Sequence, residues 1–339
     1  MGAQGATLLE IPGLVDLQVN GYLGVDFSSP DLTEQQLVDA WRGMLAAGTA
    51  AFLPTLITSA PETYARNLPL IAHAMRRDEF QGHVLGIHLE GPFISREPGA
   101  VGAHNPDCVL SPDVEYLTEL LDAGENAVRM LTIAAEVPGA ERLARLARQR
   151  GVTVSVGHSL FSSEDLDRLY GAGAQALTHL GNGLPNMLPR HPNPVWAGLA
   201  DRRLVAMIIA DGHHLPLSVL QVMTRARSAA GNLVLVSDAA PVAGLPPGEY
   251  LVLGNRAVLE PSGRLHNPEK GHLVGSSATL VQCANVLLDH GILSLEATLF
   301  AACHAPLALL GLDEAVVKAI PGRALYLEDG RLVVCNQGT

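Results

Sequence analysis

Lysine is almost missing from this chain: Lys270 and Lys318 are the only two. The formal net charge of -12 argues against a nucleic-acid binder, whose affinity would come from basic patches. Anionic small molecules are not excluded, because one well-placed arginine can dominate a pocket. Aromatic residues make up only 4% of the chain, so the core must be mostly aliphatic. The four cysteines, Cys108, Cys283, Cys303 and Cys335, lie far apart and form no CxxC. They read as free thiols in a reducing cytosol. No apolar run approaches the roughly 18 residues of a membrane span, so no membrane partner is expected. The opening MGAQGATLLEIPG has no charged segment followed by a long apolar stretch, so no signal peptide is evident and a cytoplasmic location is expected. No GxGxxG follows a strand, which weakens an open dinucleotide-binding sheet as the architecture.

What is present is a core-rich globular chain of 339 residues, 48% hydrophobic and 17% charged. That length suits one large barrel or two ordinary domains. About eight short apolar runs recur, at Leu14–Val19, Ala51–Ile57, Val84–Leu89, Met130–Ala135, Val152–Val156, Ala176–Leu180, Leu204–Ile209 and Leu233–Val236. Near-continuous aliphatic and β-branched runs suit parallel strands buried on both faces. Helical patterns lie between several of them. Thr33–Ala47 places Leu37, Trp41, Met44 and Leu45 on one side, and Gly48 stops it. Ser163–Tyr170 and Pro216–Ser228 also read as helices.

The predicted fold is α/β: a (β/α)8 TIM barrel over residues 12–320. A hairpin insertion at about 246–268 carries polar turns, including Pro261-Ser262-Gly263. Helices follow at Ser277–His290 and Leu295–Leu310. A strand pair, Ala324–Leu327 and Leu332–Cys335, turns at Glu328-Asp329-Gly330. Residues 1–11 and 321–339 form a small accessory β segment.

The informative feature is where acids and histidines sit. Strand ends read Asp16-Leu17-Gln18-Val19-Asn20, His88-Leu89-Glu90, Gly157-His158-Ser159, Thr178-His179-Leu180, Asp211-Gly212-His213-His214 and Ser237-Asp238-Ala239. In a barrel these ends converge on one mouth, where catalytic groups gather. A single such histidine is ordinarily a satisfied core residue. Several metal-ligand types together, costly to bury unpaired, are not explained that way. Two imidazoles and a carboxylate suit a divalent ion with one position left for water. The ion lowers the pKa of that water toward about 7. Asp238 on the last strand is the candidate to carry its proton. Spacing alone leaves the individual ligands open. The charged runs Arg76-Arg77-Asp78-Glu79 and Arg142–Arg150 read as solvated helix faces. His73, His83, His266, His272, His290 and His304 have no strand-end placement.

At this point the sequence resembles the amidohydrolase superfamily and, within it, the N-acetylglucosamine-6-phosphate deacetylases. The resemblance rests on Pro12-Gly13-Leu14-Val15-Asp16-Leu17-Gln18-Val19-Asn20-Gly21, His88-Leu89-Glu90-Gly91-Pro92-Phe93, Gly102-Ala103-His104-Asn105-Pro106, Gly157-His158-Ser159, Thr178-His179-Leu180, Ala210-Asp211-Gly212-His213-His214, Val236-Ser237-Asp238-Ala239 and Gly275-Ser276-Ser277. These occur in family order and span most of the chain.

The resemblance implies Glu90, His158 and His179 as metal ligands and Asp238 as proton acceptor and donor. It places His104 and His214 against the sugar or the acetamide carbonyl. Ala103, Asn182, Gly183 and the stretch Leu273, Val274, Gly275 fall where family members contact substrate. Several superfamily members carry an HxH pair for a second metal where this chain has Gln18 and Asn20. Amides are poor ligands, and neither lysine lies at a proposed strand end to be carboxylated. One metal ion is expected, Zn2+ first, with Fe2+, Co2+ and Mn2+ also suited to the donors. Gln18 and Asn20 then orient the site.

The chain departs from the family in two places. Family members usually begin with a longer segment that builds half of a small β-sandwich. Here about a dozen residues precede the first strand, which implies a sandwich that is reduced or built mostly from the C-terminal strands. After His179, the family's Asn-Ala-Met turn and Arg-Glu-Pro-Gly stretch are replaced by Gly181–Asn193, with His191 following Arg190. Arg190 keeps the register of the arginine that reads the sugar phosphate, which in family structures comes from a neighbouring subunit, so a homodimer is implied. A guanidinium suits bidentate phosphate contact. The expected reaction is deacetylation of N-acetylglucosamine 6-phosphate to the free amine and acetate. The altered loop keeps an unphosphorylated or different N-acetyl amino sugar as the alternative. A non-catalytic sugar-binding barrel is the remote one, since loss of Asp238 or of a ligand would be its mark.

Overall fold

The computed structural model describes residues 6–227, 231–269 and 271–337. Lys270 and Ser228 lie outside the described residues, as do residues 1–5 and 338–339 of the expected accessory segment.

Eight strands form one parallel sheet in chain order. They are β1 (Leu14–Val19), β2 (Thr49–Ile57), β3 (Ile87–Glu90), β4 (Val128–Ile133), β5 (Thr153–Val156), β6 (Ala174–Leu177), β7 (Val205–Ile209) and β8 (Leu233–Val236). The sheet closes where Val19 bridges Ala239 in parallel and the Asn20 N–H donates to the Ala239 carbonyl at 2.8 Å. Asp16 strengthens the closure by accepting the Ser237 N–H at 3.1 Å. Its carboxyl is completely enclosed, and burial pushes it up to about 7.

Each strand is followed by a helix: α1 (Glu34–Ala46), α2 (Pro61–Ala74), α3 (Val114–Ala123), α4 (Ala140–Gln149), α5 (Ser163–Gly171), α6 (Pro194–Ala200), α7 (Leu217–Arg227) and α8 (Leu280–Asp289). Eight such units make the expected (β/α)8 barrel. Helix α1 begins where the sequence indicates. Thr33 and Gln36 form a capping box, and Leu37, Trp41, Met44 and Leu45 face the core. Helix α2 was not legible. Pro69 stands inside it, and an internal proline ordinarily marks a break. The expected helix Leu295–Leu310 holds, but Phe300–His304 widens into a π-turn before Pro306. A proline there has no N–H for the ladder, and the wider turn absorbs the defect.

Several strands end earlier than their apolar runs. The run Ala176–Leu180 contributes β6 only to Leu177, because the backbone turns left-handed at His179, at φ +30°. His158 and Asp238 do the same after β5 and β8, at φ +48° and +50°. Positive φ is uncommon for residues with a side chain, and such strain concentrates at functional positions. Here it turns three polar side chains out of the strands at one end of the barrel.

The insertion forms a three-stranded antiparallel sheet of β9 (Gly248–Val252), β10 (Asn255–Leu259) and β11 (Leu265–His266). Asn255 donates its side-chain amide to the Ala103 carbonyl at 3.2 Å, so the sheet leans over the barrel mouth. The last strands, β12 (Arg323–Glu328) and β13 (Arg331–Asn336), pair through Asp329-Gly330, both at positive φ. The short strand Thr7–Leu8 adds to β12, making a single three-stranded sheet. Among the described residues no helix is long and apolar enough to cross a membrane.

Candidate active site

A cavity of about 320 Å³ opens at the C-terminal ends of the strands. Beneath it the barrel interior is polar. His88 donates from Nδ1 to the Leu17 carbonyl (3.0 Å) and accepts the Thr132 hydroxyl at Nε2 (2.8 Å). A hydroxyl chain continues from Thr132 to Thr178 (2.8 Å) and Ser155 (2.6 Å). Burial holds His88 down at about 4, so it is neutral. Its place one strand step below Glu90 makes it a floor for the site.

On that floor Glu90, His158 and His179 converge. Glu90 Oε1 lies 3.0 Å from His179 Nε2 and 3.2 Å from His158 Nε2, and the two Nε2 atoms are 3.0 Å apart. Burial pushes the Glu90 carboxyl up, but the neighbouring histidines outweigh it and hold it well below the usual range. Burial pulls His179 down, and Glu90 overcomes that and raises it.

The site has the donor chemistry for a divalent cation. His158 gives its Nδ1–H to the Ala100 carbonyl at 2.8 Å, which leaves a bare lone pair on Nε2, the ordinary outer-shell pattern of a metal-binding histidine. A carboxylate and two imidazole nitrogens then meet at one point, and Glu90, His104 and His158 also offer ligand atoms within 4.8 Å of one another.

His104 is the fourth imidazole-or-carboxylate group at this point, with Nε2 3.2 Å from His158 Nε2 and 3.8 Å from Glu90. Its hydrogen-bond pattern sets it apart. Nδ1 accepts the Thr58 backbone N–H at 3.3 Å and lies 2.9 Å from the Thr58 hydroxyl. A backbone N–H can only donate, so the ring hydrogen sits on Nε2 and faces the cavity. Burial, then the charge of His158, holds this histidine neutral, down at about 3. His104 therefore presents a donor, where the other two present lone pairs or a shared proton.

Asp238 stands beside this cluster and accepts the Asn20 amide at 2.7 Å. Gln18 donates its amide to Glu90 Oε1 at 2.7 Å. The two amides thus hold the two carboxylates in place. Burial, with the neighbouring Glu90 charge, raises the Asp238 carboxyl above its ordinary value, which makes it a better base.

Two glycines pack against the His158 ring. A Cβ on Gly183, which sits at φ +60°, would lie 2.9 Å from His158 Nδ1, and one on Gly102 would lie 3.0 Å from Cε1. Gly183→Ala is expected to push the ring off its position and weaken metal binding by about 10–100-fold, the range for loss of a group that orients a ligand. Metal titration of the variant reads this directly.

The cavity also collects Ala103, Asn182, Gly183, His214, Leu273 and Gly275. Val274 is not part of the lining; it is buried in the small core beneath β9 and β10. Arg190 is exposed and does not line the cavity, and its backbone carbonyl accepts the Trp196 indole N–H at 3.2 Å. Lining residues that sequence reasoning missed include Ile57, Leu184, Asn186, Leu253 and His272. Of these, His272 alone had a signal, its position beside the Leu273–Gly275 stretch.

No family model matches the chain. Individual proteins do. The N-acetylglucosamine-6-phosphate deacetylase of Danio rerio is 36% identical over 315 residues, covering 89% of this chain and 75% of that protein. The chain belongs to the N-acetylglucosamine-6-phosphate deacetylase family. Another relative, the N-acetylgalactosamine-6-phosphate deacetylase of Escherichia coli O157:H7, is 30% identical, covering 92% of this chain and 81% of its own. Among solved structures, a mutant N-acetyl-D-glucosamine-6-phosphate deacetylase from Mycobacterium smegmatis, in complex with N-acetyl-D-glucosamine-6-phosphate, superposes with a TM-score of 0.86 at 29% identity. It covers 98% of this chain and 86% of that one. Family membership accords with a metal-dependent amide hydrolase on a TIM barrel.

Proposed function

We propose that this protein deacetylates N-acetylglucosamine 6-phosphate, giving glucosamine 6-phosphate and acetate. The convergence of Glu90, His158 and His179 beside Asp238, at the mouth of the barrel, carries this reading. Glu90, His158 and His179 would hold one divalent ion, Zn2+ by donor chemistry. When bound, such an ion acidifies a water toward neutrality and polarises the amide carbonyl.

The remaining work falls to side chains. Asp238 takes the proton of the attacking water and delivers it to the departing nitrogen. His104, with its hydrogen on Nε2, donates to the oxygen that gains charge as the carbonyl is attacked. Gln18 and Asn20 fix the carboxylates. Ala103, Asn182, Gly183, His214 and the Leu273–Gly275 stretch position the sugar. Arg190 reads the 6-phosphate from a second copy of the chain, so the working form is a homodimer, in the cytoplasm.

One observation favours a second reading. Among the described residues no lysine or arginine lines the cavity, which suits an unphosphorylated N-acetyl amino sugar. The galactosamine-type relative leaves the C4 epimer as a further choice. Parallel acetate-release kinetics on phosphorylated and free N-acetylglucosamine, and on the 4-epimer, separate these. Arg190→Ala is expected to raise KM for the phosphorylated sugar by about 10–100-fold, the worth of a charge-assisted pair, with little change for the free sugar. An unchanged preference for phosphate would remove Arg190 from that role.

A further inference from the structure

Asp211 is a buried carboxylate to which the catalytic scheme above gives no task. It stands just beyond the end of β7 and all its acceptor positions are taken. Oδ1 accepts the backbone N–H groups of His213 (2.8 Å) and His214 (2.9 Å). Oδ2 accepts the His214 ring Nδ1–H (2.7 Å) and the Ser276 hydroxyl (2.9 Å). The two side chains are almost fully enclosed, 3% and 7% exposed. Burial pushes the Asp211 carboxyl up, but the hydrogen bonds from the His214 ring and from the His214 and His213 backbone N–H groups outweigh it and hold it well below the usual range. It is therefore an anion that only accepts.

The consequence falls on His214. Its Nδ1 must carry the hydrogen, so in the neutral ring the lone pair is on Nε2, the nitrogen left for the cavity that His214 lines. This is the reverse of His104, whose Nδ1 accepts the Thr58 N–H and whose hydrogen is on Nε2. Ser276 extends the connection. Its backbone N–H donates to the Asp238 carbonyl at 3.0 Å while its hydroxyl holds Asp211. One serine thus links Asp238 to the support of His214. Other ionisable groups near this pair, among the described residues, include the adjacent His213, Asp238 from the end of β8, and Cys283 of α8, whose thiol is pushed up by burial and by the Asp211 charge.

We propose that Asp211 is a positioning residue that fixes His214 as its Nδ1–H tautomer, so that the two cavity histidines present opposite faces: His104 a donor for the carbonyl oxygen, His214 an acceptor for a sugar hydroxyl. The catalytic part of this rests on the deacetylase reading; the tautomer does not.

Asp211→Asn is the informative change. The two backbone N–H groups require the amide oxygen at Oδ1, which turns the NH2 toward His214. Nδ1 must then accept, and the ring hydrogen moves to Nε2. The test is long-range 1H–15N NMR of the metal-loaded protein, with the His214 signals assigned by their loss in His214→Gln. The wild type is expected to show the Nδ1–H pattern and Asp211→Asn the Nε2–H pattern, with metal content unchanged. kcat/KM for acetate release should fall by about a hundredfold or more, as when a histidine is held in the wrong tautomer.

A wild-type Nε2–H pattern overturns the proposal and needs no variant to be seen. So does a tautomer swap that leaves kcat/KM at the wild-type value. If instead the wild type releases no acetate from any N-acetyl amino sugar while the NMR pattern is as expected, the substrate reading fails and the tautomer assignment stands.

Discussion

Asp238→Asn is expected to lower kcat by on the order of a thousandfold, as removal of a positioned general acid–base does, with metal content unchanged. The residue is 9% exposed, and its backbone is held at left-handed φ in the turn after β8. Asn20 grips one of its oxygens at 2.7 Å, so an amide of the same shape fits the same place. What the amide lacks is a lone-pair oxygen basic enough to accept and return a proton. Burial and the nearby Glu90 charge make the native carboxylate more basic than usual, and that property disappears with the substitution. Acetate release and metal analysis on one preparation check both halves. Metal loss would make Asp238 a ligand, and undiminished turnover would take the proton transfer away from it.

Glu90→Gln is expected to have the second large effect, through the metal. The carboxylate is the only anion among the three converging groups, and its charge raises His179 and balances two imidazoles. A glutamine preserves the shape but supplies a neutral, weaker oxygen. Metal affinity should fall by more than the roughly 10–100-fold that loss of an outer-shell partner costs. Activity should follow metal content and return in part at high metal concentration. A fully metal-loaded Glu90→Gln protein at ordinary metal concentration would mean that Glu90 is not a ligand. In that event His104, which completes a cluster with Glu90 and His158, would need reconsideration.

The barrel and the centre of its site were legible because both depend on local pattern. Buried parallel strands announce themselves as apolar runs, and polar residues at their ends have few structural reasons to be there. Helix α1 and the β12–β13 hairpin were legible for the same reason: an apolar helical face stopped by a glycine and an Asp-Gly turn are short-range signals. Strand ends were overrun at β6, where Thr178-His179-Leu180 continues the apolar pattern while the backbone has already turned.

The second layer of the site was not legible. Thr58 on His104, Ala100 on His158 and Ser276 on Asp211 join loops 46, 58 and 65 residues apart. No periodicity reports such contacts. The same holds for Gly102 and Gly183, whose lack of a side chain matters only because one imidazole lies against both. Arg190 shows the limit differently. Its register matches the family, but within one chain it lies on the surface, away from the cavity. A role across an interface, as proposed for Arg190, would leave no trace in the fold of its own chain.

The most direct test is acetate release from N-acetylglucosamine 6-phosphate by the protein before and after its metal is stripped with a chelator. The expected result is one acetate per glucosamine 6-phosphate, lost on stripping and restored by a single divalent ion per chain. Acetate release that survives complete removal of the metal, or no release from phosphorylated and free N-acetyl amino sugars alike by the metal-loaded protein, would contradict it.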